Sequence, residues 1–127
     1  MTYGTRVILI VFFCFFFLIG CMDNRDFYYE LYDGYEIKKV YDSIKLYKND
    51  ELVKINDLDY KILEFKYNSD VVCLKLDNNS YYMIYYVDTT IYGPFTKDSL
   101  ETSINSLSMN FDSDFEKVLE KEGLIYE

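Results

Sequence analysis

Apolar and polar residues alternate along the middle of the chain, from Tyr35 to Phe95. A two-residue period is typical of β-strands that bury one face. Clusters of Asn, Asp, Ser and Gly interrupt this pattern, and these residue types favour tight turns. The clearest turns lie at Asp33-Gly34, Asn68–Asp70 and Asp77–Ser80. The pattern therefore predicts an antiparallel meander of about five to seven short strands.

Two tyrosine-rich stretches take different places in this predicted sheet. Phe27–Tyr32 precedes the first turn, and we expect it to pair as an edge strand. Tyr81–Val87 is apolar at successive positions and not only at alternate ones. A strand that is apolar on both faces belongs in the interior of a sheet, because both faces are then covered.

After Phe95 the apolar period lengthens to that of a helix. Thr96 is a suitable N-cap, and Leu100, Ile104 and Leu107 follow at helical spacing. A second helix is predicted after it. Its signals are a capping box at Ser113–Glu116, an apolar stripe of Phe115, Val118 and Leu119, and a C-cap glycine at Gly123. The fold class predicted is α+β, with one or two C-terminal helices after the sheet.

The N-terminus carries an unbroken apolar run, Val7–Ile19, behind a single charge at Arg6. A spanning helix needs about 20 apolar residues, whereas the apolar core of an export signal has about 7–15. The run therefore predicts an N-terminal signal helix. An uncleaved anchor and a buried core helix are the alternatives.

The run ends in Leu18, Ile19, Gly20 and Cys21, which resembles the lipobox of bacterial lipoproteins. In such proteins the cysteine thiol accepts a diacylglyceryl group, the signal is removed before that cysteine, and the new amino group is acylated. The resemblance implies a signal peptide at 1–20, a lipidated tether with a first edge segment at 21–34, and a single α+β domain at 35–127. It also implies export, with palmitate-type chains holding Cys21 in the outer face of the cell membrane, or in the outer membrane of a two-membrane cell.

The net charge of the chain narrows the classes of partner that it is expected to bind. The chain has 13 basic and 22 acidic residues, and removal of Arg6 with the signal leaves a net charge of −10. This sign excludes a nucleic-acid partner, since phosphates would be repelled. Anionic headgroups would also be repelled, so we expect the domain to be tethered to the membrane without lying flat on it. A cationic protein would be attracted.

Catalytic chemistry has little support in the sequence. The chain has no His, which excludes His-dependent triads and His-liganded metal sites. Asn110, Asp112 and Asp114 imitate the start of a calcium loop, but Phe115 and Lys121 occupy the positions that need Gly and Glu. Cys73 lies in an apolar run and is predicted to be a core residue. No catalytic residue, metal site or cofactor is therefore predicted.

Tyrosine is unusually frequent, with 14 residues after the signal. Exposed phenol rings bind glycans and proteins, whereas tyrosines on strands also stabilise sheets by packing. If they form a binding surface, the more exposed ones are expected to be Tyr28, Tyr29, Tyr32, Tyr81 and Tyr85.

Several segments together resemble a family of small bacterial lipoproteins of unknown function, best known from bacteria with a single membrane. They are Tyr32–Ile37, Tyr81–Ile84, Tyr92–Phe95 and a helix whose first turn holds Asp98 and Glu101. The similarity covers Phe27–Leu107. It implies a lipoprotein and brings no catalytic residue with it.

The resulting functional hypothesis is a membrane-anchored envelope lipoprotein that catalyses no reaction and binds another envelope protein. The first alternative is a glycan or small-molecule binding module that uses the tyrosines. The second is an inhibitor or immunity protein against a cationic partner, for which the negative charge would speed association. A hydrolase based on carboxylates is the third.

Overall fold

The alternating segments form ten antiparallel strands in the computed structural model, which describes residues 26–121 and 123–125. The strands are β1 Phe27–Glu30, β2 Tyr35–Val40, β3 Ser43–Lys48, β4 Glu51–Leu52, β5 Ile62–Tyr67, β6 Val71–Leu76, β7 Tyr81–Tyr85, β8 Ile91–Phe95, β9 Glu116–Lys117 and β10 Leu124–Ile125. One helix, α1, spans Lys97–Ser106, and a 3-10 turn spans Val118–Glu120. The α+β class is thus borne out in its broad form.

The strands form two sheets instead of the single predicted meander. The first sheet has the order β10-β1-β2-β3-β4, and the second has the order β8-β7-β6-β5-β9. Five to seven strands were expected, and the two-residue strands β9 and β10 were not among those predicted. Such short pairings leave no alternation to detect in a sequence. The predicted signal helix lies outside the described residues.

Apolar side chains of both sheets meet in one core. Its largest fully buried members include Tyr35, Ile37, Leu46, Phe65 and Tyr86. A second, smaller core lies on the other face of the second sheet, where Leu100 and Ile104 of α1 cover Val71, Cys73, Tyr81 and Met83. Strands β6 and β7 are therefore buried on both faces. This confirms the interior position predicted for the Tyr81 strand.

The second helix predicted from Ser113 is wrong. Glu116 and Lys117 extend the second sheet by pairing with Phe65 and Glu64 of β5. After the 3-10 turn, Leu124 and Ile125 pair with β1. In this extended path Val118 is buried and Phe115 is half-buried against the sheets, and these long-range contacts outweigh the local capping signal.

Three smaller expectations also differ from the structure. The β1 strand is not an edge, because β10 and β2 flank it. Leu107 is 54% exposed at the C-cap of α1, instead of packing with Leu100. Gly93-Pro94 is expected from its sequence to end the strand at Ile91-Tyr92, but both residues lie inside β8. The turns at Asp33-Gly34, Asn68–Asp70 and Asp77–Ser80 and the N-cap at Thr96 are confirmed.

Different turns lie at the two ends of this β-sandwich. At the N-terminal end, β1 begins beside the turn at residues 41–42, and the second sheet contributes the turn at residues 77–80. The opposite end, called the distal end below, gathers the turns at residues 31–34, 68–70 and 86–90 and the segment 107–110 after α1.

Candidate binding cleft

A cleft of about 560 Å³ opens at the distal end. Four separate segments line it, so no single motif marks it in the sequence. Its lining residues are Asp33, Asn68, Ser69, Asp70, Tyr85, Tyr86, Val87, Leu107, Ser108, Met109 and Asn110.

One asparagine holds two of these segments in place. The Asn68 side-chain oxygen accepts hydrogen bonds from the backbone N–H groups of Asp70 and Val71, at 2.8 and 2.9 Å, which forms an Asx turn. Its amide nitrogen donates a 3.0 Å hydrogen bond to the carbonyl oxygen of Asn110. The chain after α1 is thereby fixed against the β5–β6 turn and forms one wall.

The opposite wall is fixed from the first sheet. The Tyr35 hydroxyl donates a 3.1 Å hydrogen bond to the carbonyl oxygen of Tyr86 and also contacts the hydroxyl of Thr89. Within the turn, the carboxylate of Asp88 accepts a 3.0 Å hydrogen bond from the N–H of Thr90. Hydrogen bonds from Thr90 lower the pKa of Asp88, so this carboxylate stays ionised at neutral pH.

The cleft combines exposed apolar groups with carboxylates. Val87 is 84% exposed and Leu107 is 54% exposed. Asp33 and Asp70 lie in the same lining and form no ion pair with any residue that the structure describes. None of the lining residues is basic. Such a surface is complementary in charge and polarity to groups that are positively charged and apolar.

Two tyrosines line the cleft, and their hydroxyl groups differ in exposure. Burial, together with the neighbouring Tyr92, Cys73 and Asp70, raises the pKa of Tyr85, so its phenol remains a hydrogen-bond donor at neutral pH. Tyr86 is fully buried, and its hydroxyl has no hydrogen-bond partner within the described part of the chain.

The predicted tyrosines divide between different environments. Tyr29 and Tyr81 were expected to be exposed, and this is wrong: both are buried, at 7% and 8% exposure. Tyr29 lies between the sheets, where its hydroxyl donates to the carbonyl oxygen of Val118. Tyr81 packs edge-on against Phe115 in the core under α1. Alternation along the strand does not reveal which face is covered when both faces carry rings.

The other three predicted tyrosines are accessible at least in part. Tyr28 is half-buried on the outer face of the first sheet, and Tyr85 is half-buried in the cleft. Tyr32 is 46% exposed and packs beside Tyr67 and Tyr86, with ring centroids 6.1 Å from each. The structure therefore brings only Tyr85 into the lining of the cleft.

A row of neighbouring aromatic rings leads from the N-terminal end toward the cleft. Consecutive ring centroids along it lie 5.1 to 6.1 Å apart. The row runs through Phe27, Tyr29, Phe65, Tyr67, Tyr32, Tyr86 and Tyr35. Beside it lies a groove of about 360 Å³, which Tyr28, Tyr67, Glu30 and Lys121 help to line.

Cys73 is confirmed as a core residue. It is fully buried beneath α1, and burial raises the pKa of its thiol to about 12. Within residues 26–121 and 123–125, no group of three or more His, Cys, Asp or Glu side chains is placed to hold a metal ion. In the same ranges, no helix has the length and apolar character needed to cross a bilayer.

The predicted lipidation motif, Leu18 to Cys21, lies outside the described residues.

The carboxylates and apolar residues of the cleft were not predicted from the sequence. The one local signal was the placement of Val87 and Leu107 next to turn-forming residues, where an apolar side chain has no obvious core to enter.

Comparison of the chain with protein-family models, curated proteins and solved structures found no match.

Proposed function

We propose that the protein is an exported lipoprotein, anchored through Cys21, that binds a protein partner in the distal cleft and catalyses no reaction. The anchor is supported by the sequence from Leu18 to Cys21 behind a short apolar run. The binding role is carried by one observation, the pairing of exposed apolar side chains with unpaired carboxylates in a cleft of about 560 Å³.

The partner surface that fits this cleft is basic and partly apolar. Asp33 and Asp70 supply negative charge without a basic neighbour in the lining, and Val87 and Leu107 supply apolar area. The net charge of −10 after signal removal adds long-range attraction to a basic partner. An inhibitor or immunity protein against a cationic toxin or enzyme is the specific form of this function that the charge favours.

Site-specific photo-cross-linking in living cells tests the binding role. A photoreactive amino acid replaces Val87 in the cleft, and in a control protein it replaces Leu52, which is 43% exposed on the first sheet. We expect a discrete cross-linked partner from position 87 and none from position 52. The cross-link at position 87 should disappear in a background with Asp33→Asn and Asp70→Asn.

The purified partner then provides a second measurement. Its affinity for the protein should fall at least about tenfold in the double Asn variant, because two charges are lost from the site. Equal cross-linking from positions 87 and 52, or an affinity that the double variant leaves unchanged, contradicts a protein-binding cleft.

A glycan-binding function is the second candidate, and the aromatic groove favours it. Tyr67 lines this groove together with Glu30 and Lys121, and an aromatic ring with hydrogen-bonding groups nearby is suited to sugars. A glycan array distinguishes the two functions. Binding that Tyr67→Ala abolishes and Asp33→Asn/Asp70→Asn leaves intact would assign the function to the groove.

A further inference from the structure

Strand β1 begins beside an exposed aromatic turn at the N-terminal end. The backbone N–H of Tyr41 donates a 2.9 Å hydrogen bond to the Oδ1 atom of Asp26, directly before β1. Tyr41 is 78% exposed, and its neighbour Val40 is 38% exposed. The hydrogen bond therefore fixes an exposed tyrosine next to the point where the N-terminal segment enters the fold.

Tyrosine is an unfavourable residue for this turn. The φ angle of Tyr41 is +55°, in the left-handed region that Gly, Asn and Asp adopt more readily than a bulky residue. Its exposed ring contributes little to the core that could offset this strain. Strained residues that do not serve packing are typical of functional surfaces.

The length of the N-terminal segment limits where this turn can lie. Five residue steps separate Cys21 from Asp26, so their Cα atoms are at most about 18 Å apart. A lipid on Cys21 would keep the Tyr41 turn near the headgroups. Tyrosine rings favour this region because one end of the ring is apolar and the other end forms hydrogen bonds.

Negative charge limits how deeply the Tyr41 turn can enter a bilayer. Asp42 follows Tyr41 and is exposed, and a carboxylate does not enter the hydrocarbon layer without a large cost. The net charge of −10 also opposes a broad contact with anionic lipids. A contact with the bilayer through this one turn, at the end of the sandwich, agrees with both constraints.

We propose that the turn formed by Val40, Tyr41 and Asp42 contacts the headgroup region of the bilayer that holds the lipid anchor. The sandwich then stands on its N-terminal end and directs the cleft away from the membrane. Strands of six residues place the distal end about 20 Å farther from the lipid. This inference rests on the proposed anchoring through Cys21.

Tryptophan fluorescence tests the orientation, because the chain contains no Trp and one introduced Trp is the sole reporter. Tyr41→Trp places it at the N-terminal end, and Val87→Trp, at a residue that is 84% exposed, places it at the distal end as the matched control. Each full-length lipidated variant is reconstituted into phosphatidylcholine vesicles with or without lipids brominated near the headgroup end of the acyl chains. Bromine quenches only rings that come close to it.

Brominated lipid should reduce the emission of the Tyr41→Trp variant about twofold and leave the emission of the Val87→Trp variant unchanged. Equal quenching of both variants, or no quenching of the Tyr41→Trp variant, overturns the inference. Val40→Trp serves as the reporter at the same end if circular dichroism shows that Tyr41→Trp does not fold.

Mass spectrometry and vesicle flotation separate this inference from the anchor itself. A purified protein without fatty chains that does not float with vesicles overturns the proposed anchoring and, with it, the orientation. A lipidated protein that floats with vesicles, but whose Tyr41→Trp emission is not quenched, overturns only the orientation.

Discussion

The hydroxyl of Tyr35 in the first sheet donates a 3.1 Å hydrogen bond to the backbone carbonyl oxygen of Tyr86, directly after β7 of the second sheet. Their rings are also neighbours, with centroids 5.1 Å apart. Both side chains are 1% exposed, but the hydroxyl of Tyr86 itself has no hydrogen-bond partner among the described residues. Two tyrosines in contact therefore differ in whether their hydroxyl groups are satisfied.

This difference predicts opposite effects for the same chemical change. Tyr35→Phe removes a buried hydrogen bond between the sheets and should lower the free energy of unfolding by about 1–2 kcal/mol. Tyr86→Phe removes a buried hydroxyl that makes no hydrogen bond, and stability should be unchanged or rise by up to about 1 kcal/mol. Urea unfolding of both variants measures the difference. Equal destabilisation by the two changes would contradict this account.

The thiol of Cys73 should be inert in the folded protein. Burial raises its pKa to about 12, so hardly any reactive thiolate forms at pH 8, and α1 covers the sulfur. A chromogenic disulfide reagent at pH 8 should therefore react with this thiol only after urea is added. Labelling of the native protein at the rate of a free thiol would show that α1 opens readily.

Stability should fall in alkaline solution. The pKa of Cys73 is raised from 9.0, and that of Tyr60 from 10.0, in both cases to about 12 and mainly by burial. The unfolded chain therefore loses these protons at lower pH than the folded chain, and unfolding is favoured as pH rises. The stabilising contribution is complete below about pH 9 and is lost toward pH 12.

Urea midpoints measured from pH 7 to pH 11 test this decrease. Cys73→Ala should lower the stability at pH 7, because it creates a cavity, but it should show a weaker decline above pH 9 than the unchanged protein. A free energy of unfolding that stays constant or rises between pH 7 and pH 11 would contradict the predicted decrease.

Cys21→Ser tests the anchor directly. An alcohol in place of the thiol should prevent acyl transfer, so intact mass spectrometry of the variant should find the uncleaved signal and no fatty chains. Cys14→Ser is the matched control, since this residue lies within the predicted signal and should be removed with it. Unchanged processing and acylation of Cys21→Ser would refute the lipoprotein hypothesis.

Local chemistry was sufficient to predict several parts of the fold. Asn68 forms the Asx turn that its position between two strands indicates, and Thr96 caps α1 as expected. Asp33 and Gly34 adopt the positive φ angles that favour their residue types. These features depend on interactions within a few residues, so they can be recognised from the sequence alone.

Packing between distant segments decided the rest. Glu116 and Lys117 became a strand because the edge of β5 was available, although the capping signal at Ser113 indicated a helix. Tyr29 and Tyr81 became buried because a second sheet and α1 cover those faces. The sequence by itself determined the longer strands, the turns between them, the first helix and the expectation of a lipid anchor. Only the tertiary structure brought Asp33, Asp70 and Leu107 into one cleft, since residues so far apart meet only after both sheets have packed.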